Sequence, residues 1–195
     1  MLFLQLLRRT IRAGLPAFGL SLVLLQSAQA QEFIWAPQLP VGSALPAISA
    51  QDQTGTVRSL QEISGEKGLV LVLSRSFDWC PYCIAQLQRL VAAAPEFQAM
   101  GINVASMTYD PVATLAAAAE EHGVEFPLLF DENVKHVNAM GLRNMQYEPG
   151  QRAYGIPYPG IFLIDAQGVI RAKFAEEDYK LRPEFSLVME EAKKL

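Results

Sequence analysis

The chain has 195 residues, with 16 basic and 20 acidic side chains, two cysteines and two histidines. Its formal net charge of −4 argues against nucleic acid as a partner, because a protein that binds phosphate backbones needs a basic surface. The length suits one compact domain with a sizeable core.

Residues 1–30 have the pattern of a secretory signal peptide. Arginines near the start precede an uncharged run from Ala13 to Leu25, and the segment ends with the small residues Ala28 and Ala30. The run is shorter than the roughly 20 residues of a membrane span. We therefore predict cleavage after Ala30 and a periplasmic or secreted protein without stable membrane insertion. An uncleaved N-terminal anchor is the alternative.

Residues 31–44 contain prolines and no clear hydrophobic period, which predicts an irregular N-terminal lead. The domain itself is predicted to span residues 45–195. It would begin with a hairpin formed by Ala47 to Asp52 and Thr56 to Leu60, since Gly55 between them can supply the positive φ of a tight turn. This hairpin should lie at one edge of a sheet.

The continuous apolar run from Leu69 to Leu73 predicts a central strand that is buried on both faces. It leads into a stretch that contains both cysteines. Beyond Cys83 the apolar residues recur at helical spacing. We expect Pro95 to kink or divide this helix and Gly101 to close it.

The rest of the chain alternates between strand and helix patterns. Asp110 and Pro111 are expected to be the N-cap and first residue of an alanine-rich helix. The other predicted segments are strand Ile102 to Thr108, helix end His122-Gly123, strand Pro127 to Phe130, helix Val134 to Met140, a long loop Leu142 to Pro159, a hairpin of Gly160 to Asp165 and Val169 to Ala175, and helix Pro183 to Lys194. This order indicates an α/β sandwich with a mixed sheet.

Cys80 and Cys83 lie where the strand pattern gives way to the helical one. Two thiols at this spacing can close a small disulfide ring, and the free N–H groups of a helix start stabilise a thiolate. A purely structural disulfide is the weaker explanation, because so short a ring constrains the unfolded chain little. We predict redox chemistry in which Cys80 is the exposed attacking thiol and Cys83 the less accessible resolving thiol.

The motif Trp79-Cys80-Pro81-Tyr82-Cys83, followed by Tyr158-Pro159-Gly160-Ile161-Phe162-Leu163-Ile164-Asp165, resembles the thioredoxin-like superfamily. Within it, the chain is most similar to the redoxin or AhpC/TSA (peroxiredoxin-like) branch that carries an added N-terminal hairpin. The resemblance covers most of Leu45 to Leu195. It implies a three-layer α/β/α sandwich with a mixed central sheet and that added hairpin.

The resemblance also implies a role for Pro159 as the cis-proline that opens the strand facing the cysteines. A cis bond would turn the backbone of Tyr158 toward Cys80, where it could pair with an extended substrate. Pro157 is a competing position, and an ordinary turn proline is the alternative.

The chain departs from both families that it resembles. Phe77 stands where a peroxiredoxin nucleophile motif has Thr or Ser, and Pro159 stands where its activating arginine would be. The buried acid of thioredoxin would fall at Ser74. Arg75 either favours the thiolate or pairs with a surface acid. Asp78 is expected to be a solvated charge.

Together these features predict an exported thiol:disulfide oxidoreductase that needs no metal or cofactor and acts on protein or small-molecule disulfides and thiols, with a separate redox partner. One alternative is a thiol peroxidase or antioxidant protein, and another is a noncatalytic or metal-holding redoxin-fold protein. The predicted supporting residues are Trp79, Pro81, Tyr82, Arg75, Tyr158 and Pro159.

Overall fold

A seven-stranded mixed sheet organises the part of the chain that this computed structural model describes, residues 33–195. The predicted signal peptide, residues 1–30, lies outside the described residues. None of the helices within residues 33–195 has the length and apolar character to cross a membrane.

The strands and helices follow the predicted order closely. The strands are β1 Ser49–Gln51, β2 Val57–Ser59, β3 Gly68–Leu73, β4 Ile102–Thr108, β5 Leu128–Phe130, β6 Gly160–Asp165 and β7 Ile170–Phe174. The helices are α1 Leu60–Ile63, α2 Pro81–Ala99, α3 Val112–His122, α4 Lys135–Ala139 and α5 Phe185–Ala192, with a short 3₁₀ turn at Glu132–Val134.

The sheet has the order β2-β1-β5-β4-β3-β6-β7. The central strand β3 is parallel to β4 and antiparallel to β6, and every residue of β3 is buried. Val70 and Val72 face a core shared with α2, α3 and α5, whereas Leu69, Leu71 and Leu73 face a core shared with α1, α4 and the N-terminal segment. The predicted three-layer thioredoxin-like sandwich with an edge hairpin is confirmed.

Helix α2 is continuous through Pro95, so the expectation that this proline divides the helix is wrong. The ring of Pro95 lies on the exposed side. Ala93, Ala94 and Phe97 are buried on either side of it, so packing against the core compensates for the missing backbone hydrogen bond. The helix ends as predicted, with Gly101 following its last turn at a φ of 79°.

The first edge hairpin is closed by the carboxylate of Asp52. It accepts hydrogen bonds from the backbone N–H groups of Thr54 (2.8 Å) and Thr56 (3.1 Å) and from Nε of Arg58 (2.7 Å). Gly55 supplies the positive φ of 81° that the turn requires. One short polar sequence therefore fixes the register of β1 and β2.

The same turn occurs again at the opposite edge of the sheet, between β6 and β7. Asp165 accepts hydrogen bonds from the backbone N–H groups of Gln167 and Val169 and from Nε of Arg171, and Gly168 has a φ of 80°. Burial acts to raise the pKa of Asp165, but these hydrogen bonds outweigh it and hold the pKa below its ordinary value of 3.8.

The N-terminal segment packs on the strand that begins after the long loop. The indole of Trp35 lies 4.5 Å from the ring of Phe162, between centroids, and directly against Gly160. A Cβ at position 160 would clash with this indole, so the glycine permits the contact. The ammonium group of Lys173 donates to the carbonyl oxygen of Trp35, which ties this segment to β7.

Candidate redox site

Cys80 and Cys83 form a disulfide at the start of α2. Cys80 is the N-cap residue, and its carbonyl oxygen accepts hydrogen bonds from the backbone N–H groups of Cys83 and Ile84, both at 3.0 Å. Pro81 occupies the first helical position, where its missing N–H would have had no helical partner. The strand-to-helix turn thus places both sulfurs at the helix N-terminus.

Both cysteines are buried in the disulfide form. Cys80 is 1% exposed and Cys83 is 0% exposed, and both belong to the core that contains Phe77 and Leu87. The expectation of an exposed Cys80 is therefore wrong for this state, because the cystine packs into the core like other buried apolar groups. Attack on the disulfide requires neighbouring side chains to open locally.

Arg75 lies under the motif with its charge unpaired. The residue is 8% exposed, and its guanidinium stacks 4.2 Å from the ring centroid of Tyr179 and 5.1 Å from that of Trp79. Within residues 33–195, Arg75 makes no hydrogen bond or ion pair, and its Nε is buried without an acceptor. Of the two predicted roles, pairing with a surface acid is wrong.

The indole of Trp79 is fixed by a residue that the sequence did not identify. Its Nε1 donates to the hydroxyl of Tyr109 (2.9 Å), which donates to the carbonyl oxygen of Arg152 (2.8 Å). Arg152 also pairs with Asp78 at 2.6 Å, with both side chains more than half exposed. Asp78 is thus the solvated charge that was expected, and the hydroxyl of Tyr109 holds the indole of Trp79.

Arg182 contacts the resolving cysteine, although it lies in the segment before α5. Its Nη2 is 3.7 Å from Sγ of Cys83, its Nε donates to Oε1 of Gln86 (3.1 Å), and its Nη1 donates to the carbonyl oxygen of Leu181 (2.8 Å). Burial, together with the charge of Arg75, lowers the pKa of Arg182 to about 10. The guanidinium still carries its positive charge at neutral pH.

Asp110 is buried beneath the loop that carries the motif, so its expected role as an N-cap is wrong. Its carboxylate accepts hydrogen bonds from the hydroxyl of Ser76 (2.8 Å), the backbone N–H of Phe77 (2.6 Å) and the hydroxyl of Thr108 (2.9 Å). Pro111 is the N-cap residue of α3 instead. The carboxylate of Asp110 therefore serves as the acceptor for buried donors of the loop and does not cap α3.

Burial raises the pKa of the Asp110 carboxyl above its ordinary value of 3.8, although the hydrogen bonds from Phe77, Ser76 and Thr108 act in the opposite direction. Ionisation of Asp110 in the folded protein is therefore unfavourable, and it lowers the free energy of unfolding as the pH rises above 3.8. All the donors that surround Asp110 belong to the loop or to β4. Their hydrogen bonds fix the loop against β4 although burial of the carboxylate is unfavourable.

Replacing Asp110 by alanine should lower the free energy of unfolding by about 2–4 kcal/mol, because the N–H of Phe77 loses its buried acceptor. Urea denaturation of the oxidised protein measures this loss. Asp110→Asn is the matched control. Only the wild type carries the carboxyl of raised pKa, so its stability relative to Asp110→Asn should decline as the pH rises from 3.8 toward neutrality. A difference that does not change with pH would contradict the assignment.

Pro159 does not form the expected cis bond. The Tyr158–Pro159 peptide is trans, as are the other peptide bonds of residues 33–195. The backbone of Tyr158 is also fully used, since its N–H donates to the carbonyl oxygen of Leu142 (2.8 Å) and its carbonyl oxygen accepts from Nε1 of Trp35 (3.0 Å). Trans is the lower-energy isomer, and these two hydrogen bonds hold it. The backbone of Tyr158 is therefore already hydrogen-bonded and cannot pair with a substrate strand.

The tyrosine inside the motif points away from the core. Tyr82 is 39% exposed, and its ring meets that of Tyr179 edge-on with 6.0 Å between centroids. Tyr158 is exposed to a similar extent. The site thus combines a buried disulfide, two buried guanidinium groups and an aromatic surface.

Comparison with known proteins identifies the family of this chain. Residues 41–173 match the sequence profile of the AhpC/TSA family. Peroxiredoxin Bcp of Escherichia coli is 28% identical over 156 residues, which cover 77% of this chain and 94% of that protein. The thiol-disulfide oxidoreductase ResA of Geobacillus thermodenitrificans is 26% identical over 145 residues, covering 72% of this chain and 74% of that protein.

Solved structures show the same fold at low sequence identity. The peroxidoxin BcpB of Mycobacterium tuberculosis superposes with a TM-score of 0.69 at 20% identity, covering 80% of this chain and 98% of that chain. A putative thiol:disulfide interchange protein DsbE of Chlorobium tepidum superposes with a TM-score of 0.59 at 20% identity, covering 80% of this chain and 96% of that chain. Relatives named for peroxide chemistry and for disulfide exchange therefore share one architecture with this chain.

Proposed function

Because the chain belongs to the AhpC/TSA family, within the redoxin branch of the thioredoxin-like fold, we propose that it is an exported thiol:disulfide oxidoreductase. The observation that carries the proposal is the Cys80–Cys83 disulfide at the start of α2, with Phe77 where a peroxiredoxin-like nucleophile motif would have Thr or Ser. The family supports the broader activity, which is thiol-disulfide redox chemistry. The choice of exchange over peroxide reduction is the finer part of the proposal.

The reaction proceeds in two exchanges. The thiolate of Cys80 attacks one sulfur of a substrate disulfide, forms a mixed disulfide, and releases a substrate thiolate that takes a proton from water. The thiolate of Cys83 then attacks Sγ of Cys80, closes the Cys80–Cys83 ring, and releases the second substrate thiolate. Two electrons pass from the protein to the substrate. A dithiol partner resets the pair, and the whole sequence runs in reverse when the substrate is a dithiol of lower potential.

At this site positive charge stabilises the thiolates, so a separate base is not required. The positive end of the α2 dipole favours the thiolate of Cys80, and the guanidinium of Arg182 favours the thiolate of Cys83. Asp110 is not a suitable base, since its carboxylate is occupied by three donors of the loop and β4. The mechanism therefore does not require an acid at the position of Ser74.

We also propose that the protein works in the periplasm or outside the cell, after removal of residues 1–30. A disulfide of this kind persists in an oxidising compartment and is maintained there by a redox partner. The basis of this part of the proposal is the order of features in the first 30 residues, where arginines are followed by an uncharged apolar run and then by small residues.

A thiol peroxidase is the second candidate, favoured by the similarity to Peroxiredoxin Bcp over 94% of that protein. In this reaction the thiolate of Cys80 attacks a peroxide oxygen and becomes a sulfenic acid, while the other oxygen leaves as an alcohol or water after protonation. Cys83 condenses with the sulfenic acid to give the same disulfide and releases one water. Both functions therefore end in the oxidised state described above.

A direct comparison on the wild-type protein tests the proposal. We expect the protein to accelerate the reduction of insulin disulfides by dithiothreitol, and to consume hydrogen peroxide no faster than a Cys80→Ser/Cys83→Ser control. Peroxide consumption without any effect on insulin would establish the peroxidase instead. A protein that does neither and retains a bound metal after purification would support the metal-holding alternative.

A further inference from the structure

A cleft of about 520 Å³ opens beside the motif, and nothing in the proposed exchange reaction yet uses it. Four of its eleven lining residues are aromatic, namely Phe33, Tyr147, Tyr158 and Tyr179, and Arg75 also lines it. A cleft of this size suits a small molecule, for which pockets of about 300–1,000 Å³ are usual.

Two contacts connect the lining residues of the cleft with the neighbours of the cysteines. The guanidinium of Arg75 stacks on Trp79, which directly precedes Cys80. The ring of Tyr179 meets that of Tyr82, which lies between the two cysteines. The lining residues of the cleft therefore contact Trp79 and Tyr82, the neighbours of Cys80, although neither cysteine itself lines the cleft, and exchange with a bound disulfide needs the local opening that exposes the sulfurs.

Arg75 marks the cleft as a site for an anionic group. Arg75 is more than nine-tenths buried, yet among residues 33–195 it forms no ion pair and its Nε has no acceptor. A buried guanidinium nitrogen without an acceptor is costly, and the preferred partner of an arginine is a carboxylate that can accept two parallel hydrogen bonds. The aromatic rings on both sides hold the guanidinium in place but do not neutralise it.

Acidic residues also line this cleft. Glu176, Glu177 and Asp178 line it in succession, and all three are exposed. Carboxylates next to tyrosine faces are a favourable environment for an ammonium group. The cleft therefore offers one subsite for a carboxylate and one for an ammonium, which is the charge pattern of an amino acid.

We propose that this cleft binds the disulfide of an amino acid or short peptide, with its carboxylate on Arg75 and its ammonium group near Glu176 to Asp178. This inference rests on the proposed function and names a substrate class for it. The thiolate of Cys80 attacks the bound disulfide and releases one thiolate, which takes up a proton; Cys83 then closes the protein disulfide and releases the second. The reduced protein supplies both electrons.

The test compares two probes that share a scaffold and their ammonium groups, since cystamine lacks the carboxylates of cystine. The full-length reduced protein is mixed with each probe, and the rate of oxidation is followed by tryptophan fluorescence or by loss of thiols. Arg75→Gln should slow oxidation by cystine by about tenfold or more, and oxidation by cystamine by less than about threefold. Arg152→Gln is the matched control, because Arg152 also stands over Trp79 but does not line the cleft. It should alter neither rate by more than about threefold.

The outcomes separate this inference from the proposed function. If Arg75→Gln slows both probes equally, Arg75 acts on the Cys80 thiol and the ligand site is overturned. If the wild type reduces insulin but is oxidised by cystine and by cystamine at the same rate, the site is likewise overturned and the proposed function stands. If insulin and both probes fail to react, the proposed function itself fails.

A second variant keeps the test decisive should Arg75→Gln fold poorly. Glu176→Gln combined with Glu177→Gln changes two exposed side chains, so the fold should be unaffected. It should slow cystine and cystamine several-fold, because both probes carry ammonium groups, and leave insulin reduction unchanged. Unchanged rates with both probes would overturn the ammonium subsite.

Discussion

Cys80→Ser should reduce the insulin-reductase activity by more than about a hundredfold, to the rate of dithiothreitol alone, because it removes the nucleophile of the first exchange. Cys83→Ser should behave differently. It can still form the mixed disulfide but cannot resolve it, so covalent adducts with substrate should accumulate. Turbidity of the insulin assay measures the first effect, and non-reducing electrophoresis or mass spectrometry measures the second.

The two serine variants control for each other, since each removes one sulfur from the same ring. If Cys80→Ser keeps full turnover, the assignment of Cys80 as the attacking thiol is wrong. If Cys80→Ser accumulates more adduct than Cys83→Ser, the two roles are reversed. Both outcomes are informative because burial does not distinguish the cysteines, which are 1% and 0% exposed.

Arg182→Met should make the Cys83 thiol ionise at higher pH, because it removes the positive charge 3.7 Å from Sγ while keeping much of the side-chain volume. An opposite charge at this distance typically changes an acid dissociation constant by about ten- to a thousandfold. The reduced form would lose the same stabilisation. The reduction potential should therefore fall by about 30 mV for each tenfold change.

The measurement uses the Cys80→Ser background, in which Cys83 is the only thiol. Its ionisation is followed by the ultraviolet absorbance of the thiolate across a pH series, with and without Arg182→Met. Arg182→Lys retains the charge, so it should restore most of the effect. An unchanged titration in Arg182→Met would show that the contact is structural only.

The fold could be predicted from sequence because its signals are local. The apolar run of Leu69 to Leu73 is long enough to be a strand buried on both faces, and Gly55 and Gly168 mark the two hairpins by the positive φ that their turns require. The same holds for Gly123, which ends α3. Each of these features depends on a few neighbouring residues, so no tertiary information was needed.

The surroundings of the cysteines could not be predicted in the same way. Arg182 is 99 positions from Cys83 along the chain, and an arginine before a terminal helix carries no local sign of contact with a sulfur. Asp110-Pro111 has the pattern of a helix start, but the carboxylate of Asp110 accepts hydrogen bonds from Ser76 and Phe77 instead of from the first turn of the helix. The trans bond at Pro159 likewise depends on hydrogen bonds from Trp35 and to Leu142.

The repeated aspartate turn at both margins of the sheet has a consequence for how the molecule responds to acid. Hydrogen bonds hold the pKa of Asp52 and Asp165 below the ordinary value of 3.8 against the effect of burial, so their stabilisation is complete above that value and is lost as the pH falls through their lowered pKa. Strands β3 and β4 contain no ionisable side chain. We therefore expect acid to weaken the two edge hairpins first, whereas the central strand β3, which leads to the redox pair, has no side chain that can be protonated.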